Sequence, residues 1–146
     1  MIKGGRVINP AHGRDELADI EIREDRIAAI SSSPMSSSDL DVIDAQGCLV
    51  TPGLIDIHVH FREPGQTHKE DIHTGTRAAA AGGFTTCVCM PNTSPVCDTA
   101  GTIQLIQESI TSSALVNVYP TGCITIGLNG ENLAPLGSLK NAGAIA

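Results

Sequence analysis

Gly53-Leu54-Ile55-Asp56-Ile57-His58-Val59-His60-Phe61-Arg62-Glu63-Pro64-Gly65 carries the densest set of chemically capable side chains in the sequence. An apolar run that enters a polar loop predicts a short strand. On an extended strand alternate side chains share a face, so Asp56, His58 and His60 point one way and Ile55, Ile57 and Val59 the other. Strand rise places the two imidazoles roughly 7 Å apart, close enough to grip one metal ion or two neighbouring ions. The apolar residues of the other face predict burial under helices, as in a parallel α/β sheet. Three polar residues on the inner face of such a strand are costly unless something there uses them. A lone histidine is more often a hydrogen-bonded core residue, but Asp-x-His-x-His at a strand's end favours a pair of metal ligands.

Two further residues could meet a ligand beside that pair. Arg62 lies two positions past His60, and Asn92 heads the loop after the next apolar strand. A guanidinium binds a carboxylate bidentately and an amide NH₂ adds a donor. Taken alone, Arg62 reads equally well as a solvated loop arginine, and Asn92 as a turn-forming residue before Ser94-Pro95. Glu63 and Asp71 read as loop and helix-cap groups, and His12, His68 and His73 as surface residues. Asp56, one strand repeat deeper than His58, could orient a ligand from behind.

The elements that must position these residues change character near residue 52. Residues 3–50 predict an all-β segment. Gly4-Gly5-Arg6-Val7-Ile8-Asn9-Pro10 is a strand ending in a turn, and Ala18-Asp19-Ile20-Glu21-Ile22 alternates polar and apolar residues as a half-exposed strand does. Arg26-Ile27-Ala28-Ala29-Ile30 pairs with it. Residues 31–38, serine-rich, predict a mobile surface loop. Short strands near 42–44 and 48–51 then lead through Pro52-Gly53 into the histidine strand.

Beyond 52 the period becomes strand, helix, strand. Thr67-x-x-Glu70 has capping-box spacing and predicts a helix to about residue 81, stopped by Gly82-Gly83. An apolar strand over 85–91 ends in Asn92-Thr93-Ser94-Pro95. A helix over 99–112 carries Ile103, Ile106 and Ile110 on one face. A strand at 115–121 and a helix at 133–141 follow, and 144–146 resembles the start of a fourth strand. Strand–helix repeats of this kind imply a parallel sheet, with sites at the strands' C-terminal ends. A closed (β/α)₈ barrel needs roughly 250 residues, so the chain predicts an N-terminal fragment of one.

Bulk composition narrows the classes. The chain has 146 residues, 41% hydrophobic, with a net charge of −7, which argues against nucleic acid or an anionic membrane as partner. No apolar run approaches membrane-spanning length and Met1-Ile2-Lys3-Gly4-Gly5-Arg6 lacks a signal-peptide core, so the cytosol is the expected compartment. Cys48, Cys87, Cys89, Cys97 and Cys123 form no Cys-x-x-Cys pair and predict buried reduced thiols.

A β-rich start followed by Pro52-Gly53-Leu54-Ile55-Asp56-Ile57-His58-Val59-His60 resembles the amidohydrolase superfamily of metal-dependent hydrolases. His60-Phe61-Arg62-Glu63-Pro64-Gly65, Lys69-Glu70-Asp71, the 78–83 segment and Met90-Pro91-Asn92-Thr93 narrow the resemblance to the bacterial-type (class I) dihydroorotases. It spans the whole chain, and residues 53–95 carry nearly all its specificity. The fold it implies is α/β: part of a small β-sandwich domain over 1–52, then over 53–146 the first three βα units and the start of strand four of an amidohydrolase-type (β/α)₈ TIM barrel.

The resemblance implies one or two zinc ions (Zn2+) held in part by His58 and His60. It further implies a substrate met by His60, Arg62 and Asn92, and reversible conversion of (S)-dihydroorotate to N-carbamoyl-L-aspartate in de novo pyrimidine synthesis. The family's catalytic aspartate, two more histidine ligands and a carboxylate ligand fall beyond residue 146, so no catalytic residue is expected within the chain. The resemblance offers a homodimer or a complex with aspartate carbamoyltransferase as assemblies. Allantoinases and hydantoinases (dihydropyrimidinases) share the histidine pair and the Pro-Gly and form one rival reading. A non-catalytic dihydroorotase-like subunit of aspartate carbamoyltransferase forms another, against which the intact His58 and His60 count. Ile126-Gly127-Leu128-Asn129-Gly130 departs from the family, where a lysine is expected before the first glycine.

Overall fold

The computed structural model describes residues 1–38 and 40–146, which divide into two units, Met1–Pro52 and Gly53–Ala146. The first is built on β1 (Ile2–Asn9), β2 (Arg14–Arg23), β3 (Arg26–Ser31), β4 (Ile43–Asp44) and β5 (Leu49–Val50). The sheet runs β3-β2-β1-β4, antiparallel through β1–β3, with β4 and β5 both pairing parallel to β1. The β1–β2 connection is a single turn over Pro10–His12, closed by Gly13 at φ 62°, a left-handed conformation that glycine adopts without a Cβ clash. Val7, Ala18 and Ile20 form the core, with Ile2, Ile30 and Val50 packed against it. Leu17, Ile22, Ile27, Ile43 and Leu49 stay exposed.

The serine-rich segment after β3 is not the free loop that its composition predicts. Buried Asp19 accepts the backbone N–H groups of Gly4 and Met35, both at 2.9 Å, and Lys3 Nζ donates to the Met35 carbonyl at 2.8 Å. Those amide donors, Met35 first, hold the Asp19 carboxyl below the usual carboxylate range. Low complexity describes the segment's sequence, while a long-range carboxylate fixes its middle.

The second unit follows the strand–helix alternation: β6 (Leu54–Val59), α1 (Ile72–Ala81), β7 (Phe84–Cys89), α2 (Ala100–Ser113), β8 (Asn117–Pro120) and α3 (Leu136–Asn141). The three strands are parallel in the order β6-β7-β8. The core beneath the helices contains Ile72, Cys87, Cys89, Ile103, Ile106, Val118 and Leu139. Thr76 Oγ1 donates to the Ile72 carbonyl at 2.6 Å and accepts the Leu115 N–H at 3.1 Å, which ties α1 to the chain entering β8. Four cysteines are buried and unbridged as expected; Cys48 is exposed.

Several expectations need correction. α1 begins at Ile72, not near Thr67, because Asp71 is the residue that caps it: Asp71 Oδ1 accepts the Thr74 N–H at 2.7 Å and the Thr74 hydroxyl accepts the Asp71 N–H at 3.3 Å. α3 starts at Leu136 because Pro135 occupies its N-cap. By contrast, residues 144–146 do lie beside β8, through Ile145 N–H to Pro120 O at 3.0 Å and Gly122 N–H to Ala146 O at 2.7 Å. Most consequential is the back of the histidine strand, which no helix among the described residues covers. β6 is an edge strand, and Ile55 and Ile57 are 63% and 72% exposed.

Candidate metal and carboxylate site

The parallel sheet delivers its strand ends to one side, and two loops meet there. β6 hands over to His60 and the 61–66 loop, and β7 to the 90–98 loop. The ladder continues one step past both strands, with Met90 N–H donating to Val59 O at 2.9 Å and Thr121 N–H to Cys89 O at 3.1 Å. The loops then bind each other through Ser94 N–H to Pro64 O at 3.0 Å. Gly65 makes this approach feasible. Its φ is 89°, and a Cβ there would sit 1.9 Å from the Ser94 carbonyl oxygen. Below, buried Thr93 donates to Pro95 O at 2.7 Å and lies 3.2 Å from Cys97 Sγ, which fixes the turn that presents Asn92.

His58 and His60 project from the same face, as strand alternation requires, with ring centroids 5.2 Å apart and planes at 66°. Both are exposed. His60 Nδ1 is 2.8 Å from Asn92 Oδ1. An amide oxygen only accepts, so the Nδ1–H donates and the Nε2 lone pair is left bare for a cation. Asp56 works on the backbone: its Oδ1 accepts the His58 N–H at 3.0 Å. Arg62 is half-buried at φ 60°, and its carbonyl accepts the Gln66 N–H at 2.9 Å. Among the described residues nothing pairs with its guanidinium.

Two imidazoles suit zinc, a borderline ion that takes nitrogen ligands at about 2.0–2.1 Å. No group of three or more His, Cys, Asp or Glu among the described residues could hold a metal. The pair fits part of a zinc centre and leaves the other ligands to be supplied from elsewhere. Burial pushes the Cys89 thiol up to about 12 and the Cys123 thiol to about 11, and neither belongs to a group of three or more such side chains among the described residues that could hold a metal.

The other polar residues sort as follows. His12, His68 and His73 are exposed, and His73 Nδ1 lies 3.2 Å from the Ser113 carbonyl, on the helices and away from the strand ends. Asp71 is the α1 cap, its carboxyl held below the usual range chiefly by the Thr74 N–H. Gly127 N–H donates to Asp98 Oδ2 at 2.9 Å, so the divergent 126–130 loop is anchored to the chain leading into α2. Sequence reasoning missed the long-range partners of Phe61 and Glu63. The one local signal was Gly75, an isolated glycine inside a helix, where alanine would cost less.

Comparison with known proteins puts this arrangement among relatives. The model of the family described as Dihydro-orotase-like matches residues 47–146. Over all of its length the chain is 55% identical to a dihydroorotase of Syntrophotalea carbinolica, of which it covers 34%. It is 53% identical to a dihydroorotase of Geotalea daltonii, again covering 34% of that protein. Among solved structures, an L-hydantoinase (dihydropyrimidinase) from Arthrobacter aurescens matches 98% of this chain with 31% of its own, at TM-score 0.81 and 27% identity. A D-hydantoinase (dihydropyrimidinase) from a Thermus species matches 96% of this chain with 30% of its own, at TM-score 0.69 and 29% identity. The chain thus spans about a third of the length of the curated relatives it matches.

Proposed function

Because this chain belongs to the dihydro-orotase-like family, we propose that it forms the recognition part of a zinc-dependent dihydroorotase, interconverting (S)-dihydroorotate and N-carbamoyl-L-aspartate in pyrimidine synthesis. Its α/β fold is that of the opening of an amidohydrolase-type (β/α)₈ barrel preceded by part of a small β-sandwich. In this reading residues 1–52 belong to the sandwich domain and residues 53–146 to the barrel.

The observation that carries the reading is the His60–Asn92 hydrogen bond at the joined ends of β6 and β7. It fixes one imidazole's tautomer and brings the Asn92 amide beside the histidine pair. His58 and His60 hold one or two zinc ions together with ligands outside this chain. Bound zinc supplies Lewis-acid chemistry, polarising a carbonyl and acidifying a water. Dihydroorotate is a cyclic imide bearing one carboxylate, and the chain's own part is to grip that carboxylate. Arg62 offers the bidentate fork, Asn92 Nδ2 a further donor, and His60 borders the bound ring. The proton on the leaving nitrogen belongs to an aspartate beyond residue 146, so the 146-residue chain alone is inactive.

The structural likeness to hydantoinases gives a second reading, a cyclic amidohydrolase for uncharged rings. Arg62, whose guanidinium has no partner among the described residues, favours the carboxylate-bearing ring. The assembly is a homodimer or a complex with aspartate carbamoyltransferase, in the cytosol.

The test uses a protein of the relatives' full length. Elemental analysis of His58→Ala/His60→Ala should show zinc lost, and full stoichiometric zinc in that variant would sink the ligand assignment. Arg62→Lys keeps the charge and loses the fork, so dihydroorotate binding should weaken by about 1.5–3 kcal/mol. Equal turnover of hydantoin and dihydroorotate by the parent would instead favour the second reading.

A further inference from the structure

Glu63 has no part in the proposed chemistry, yet both its carboxylate oxygens are engaged. Oε2 accepts the backbone N–H of Ile72, the first residue of α1, at 2.9 Å, and Oε1 accepts the Ser109 hydroxyl of α2 at 3.0 Å. Two residues earlier, buried Phe61 sets its ring against Gly75 of α1, where a Cβ would lie 2.4 Å from Phe61 Cδ1. Arg62 sits between these two anchors with φ at 60°, a left-handed conformation that a residue bearing a Cβ adopts only when its surroundings impose it. Phe61 and Glu63 both engage the helical layer, which fixes the backbone on either side of Arg62.

We propose that Glu63, braced by Ser109, is a positioning residue that holds Arg62 in this left-handed conformation and so aims its guanidinium at the carboxylate of the ligand. The proposal rests on the reading of Arg62 as the carboxylate clamp. The physics is local. An N–H at a helix start has no intrahelical partner and sits at the positive end of the helix dipole, so it holds a carboxylate firmly. Once released, the backbone at Arg62 relaxes toward the β or right-handed region, and a change of φ of that size swings the guanidinium out of register with a planar partner. Glutamine at 63 keeps both bonds, its amide oxygen accepting from Ile72 and its NH₂ donating to the Ser109 oxygen. Alanine keeps neither.

That difference defines the experiment, run on the full-length zinc protein with dihydroorotate as substrate. Glu63→Ala should raise KM roughly tenfold, as expected when one charge-assisted hydrogen bond of the clamp is lost, with bound zinc unchanged and kcat within about twofold. Glu63→Gln should return KM to within about threefold of the parent, since both contacts survive. Combined with Arg62→Ala, Glu63→Ala should add less than about twofold, because a residue acting through Arg62 has nothing left to position. An unchanged KM in Glu63→Ala alongside a raised KM in Arg62→Ala would overturn this inference and leave the clamp standing. An unchanged KM in both variants would remove the clamp and the inference together. Full multiplication of the two effects in the double variant would also overturn it. If Glu63→Ala does not fold, Ser109→Ala against Ser109→Thr carries the same question. The threonine hydroxyl should restore whatever KM the alanine loses, and equal KM values in the two would overturn the proposal.

Discussion

Gly75 lies in the middle of α1, where alanine would normally be the better residue by about 1 kcal/mol. Here its missing side chain is filled by Phe61. A Cβ at 75 would sit 2.4 Å from Phe61 Cδ1 and 2.6 Å from Cε1, about an ångström inside ordinary carbon–carbon contact. Forcing a methyl group into a packed site costs about 1–3 kcal/mol. Set against the helix gain of about 1 kcal/mol, Gly75→Ala should destabilise the protein by up to about 2 kcal/mol. In a Phe61→Ala background, which itself loses about 3–5 kcal/mol of burial, the obstruction is gone. The same Gly75→Ala change should then stabilise by about 1 kcal/mol. The measurement is a double-mutant cycle by urea unfolding of the full-length protein, with the m-value held constant across the four variants. A reversal of sign between the two backgrounds is expected. Stabilisation by Gly75→Ala in both would show that the ring does not occupy that space, and the anchoring of the Arg62 loop by Phe61 would fall with it.

At Gly65, where φ is 89° and a Cβ would lie 1.9 Å from the Ser94 carbonyl oxygen, alanine must part the two site loops. Gly65→Ala should destabilise by more than about 3 kcal/mol, and an unshifted Tm would contradict the loop contact. Cys89 and Cys123 stay protonated in the folded chain up to about 12 and about 11, whereas an unfolded thiol titrates near about 8.5. Above that pH the unfolded state holds fewer protons, so stability present below it should fall as pH rises toward those values, and Cys89→Ala should flatten the decline. A Tm independent of pH between 9 and 11 would refute the burial of these thiols. Expressed alone, the 146-residue chain should be poorly soluble and lack a sharp thermal transition, because edge strand β6 exposes Ile55 and Ile57. Ile57→Lys should raise the soluble yield, and a soluble parent chain with a cooperative melt would refute the reasoning.

Local pattern settled much of this protein. The two-residue period of Asp56, His58 and His60 fixed their common face, and the spacing of Ile103, Ile106 and Ile110 fixed α2. These features depend on neighbours within a few positions, so the order of residues contains them. Other features required the folded chain. Glu63 takes the Ile72 N–H at the start of α1 from nine residues away. Ser109 reaches Glu63 across 46 positions, Asn92 reaches His60 across 32, and Asp19 pins Met35 across 16. No periodicity encodes such pairs. The alternation in β6 also separated its two faces correctly without saying which neighbour would cover the apolar one, and Ile55 and Ile57 are left open to solvent. A strand's pattern records which side avoids water, whereas burial depends on what the rest of the fold places against it.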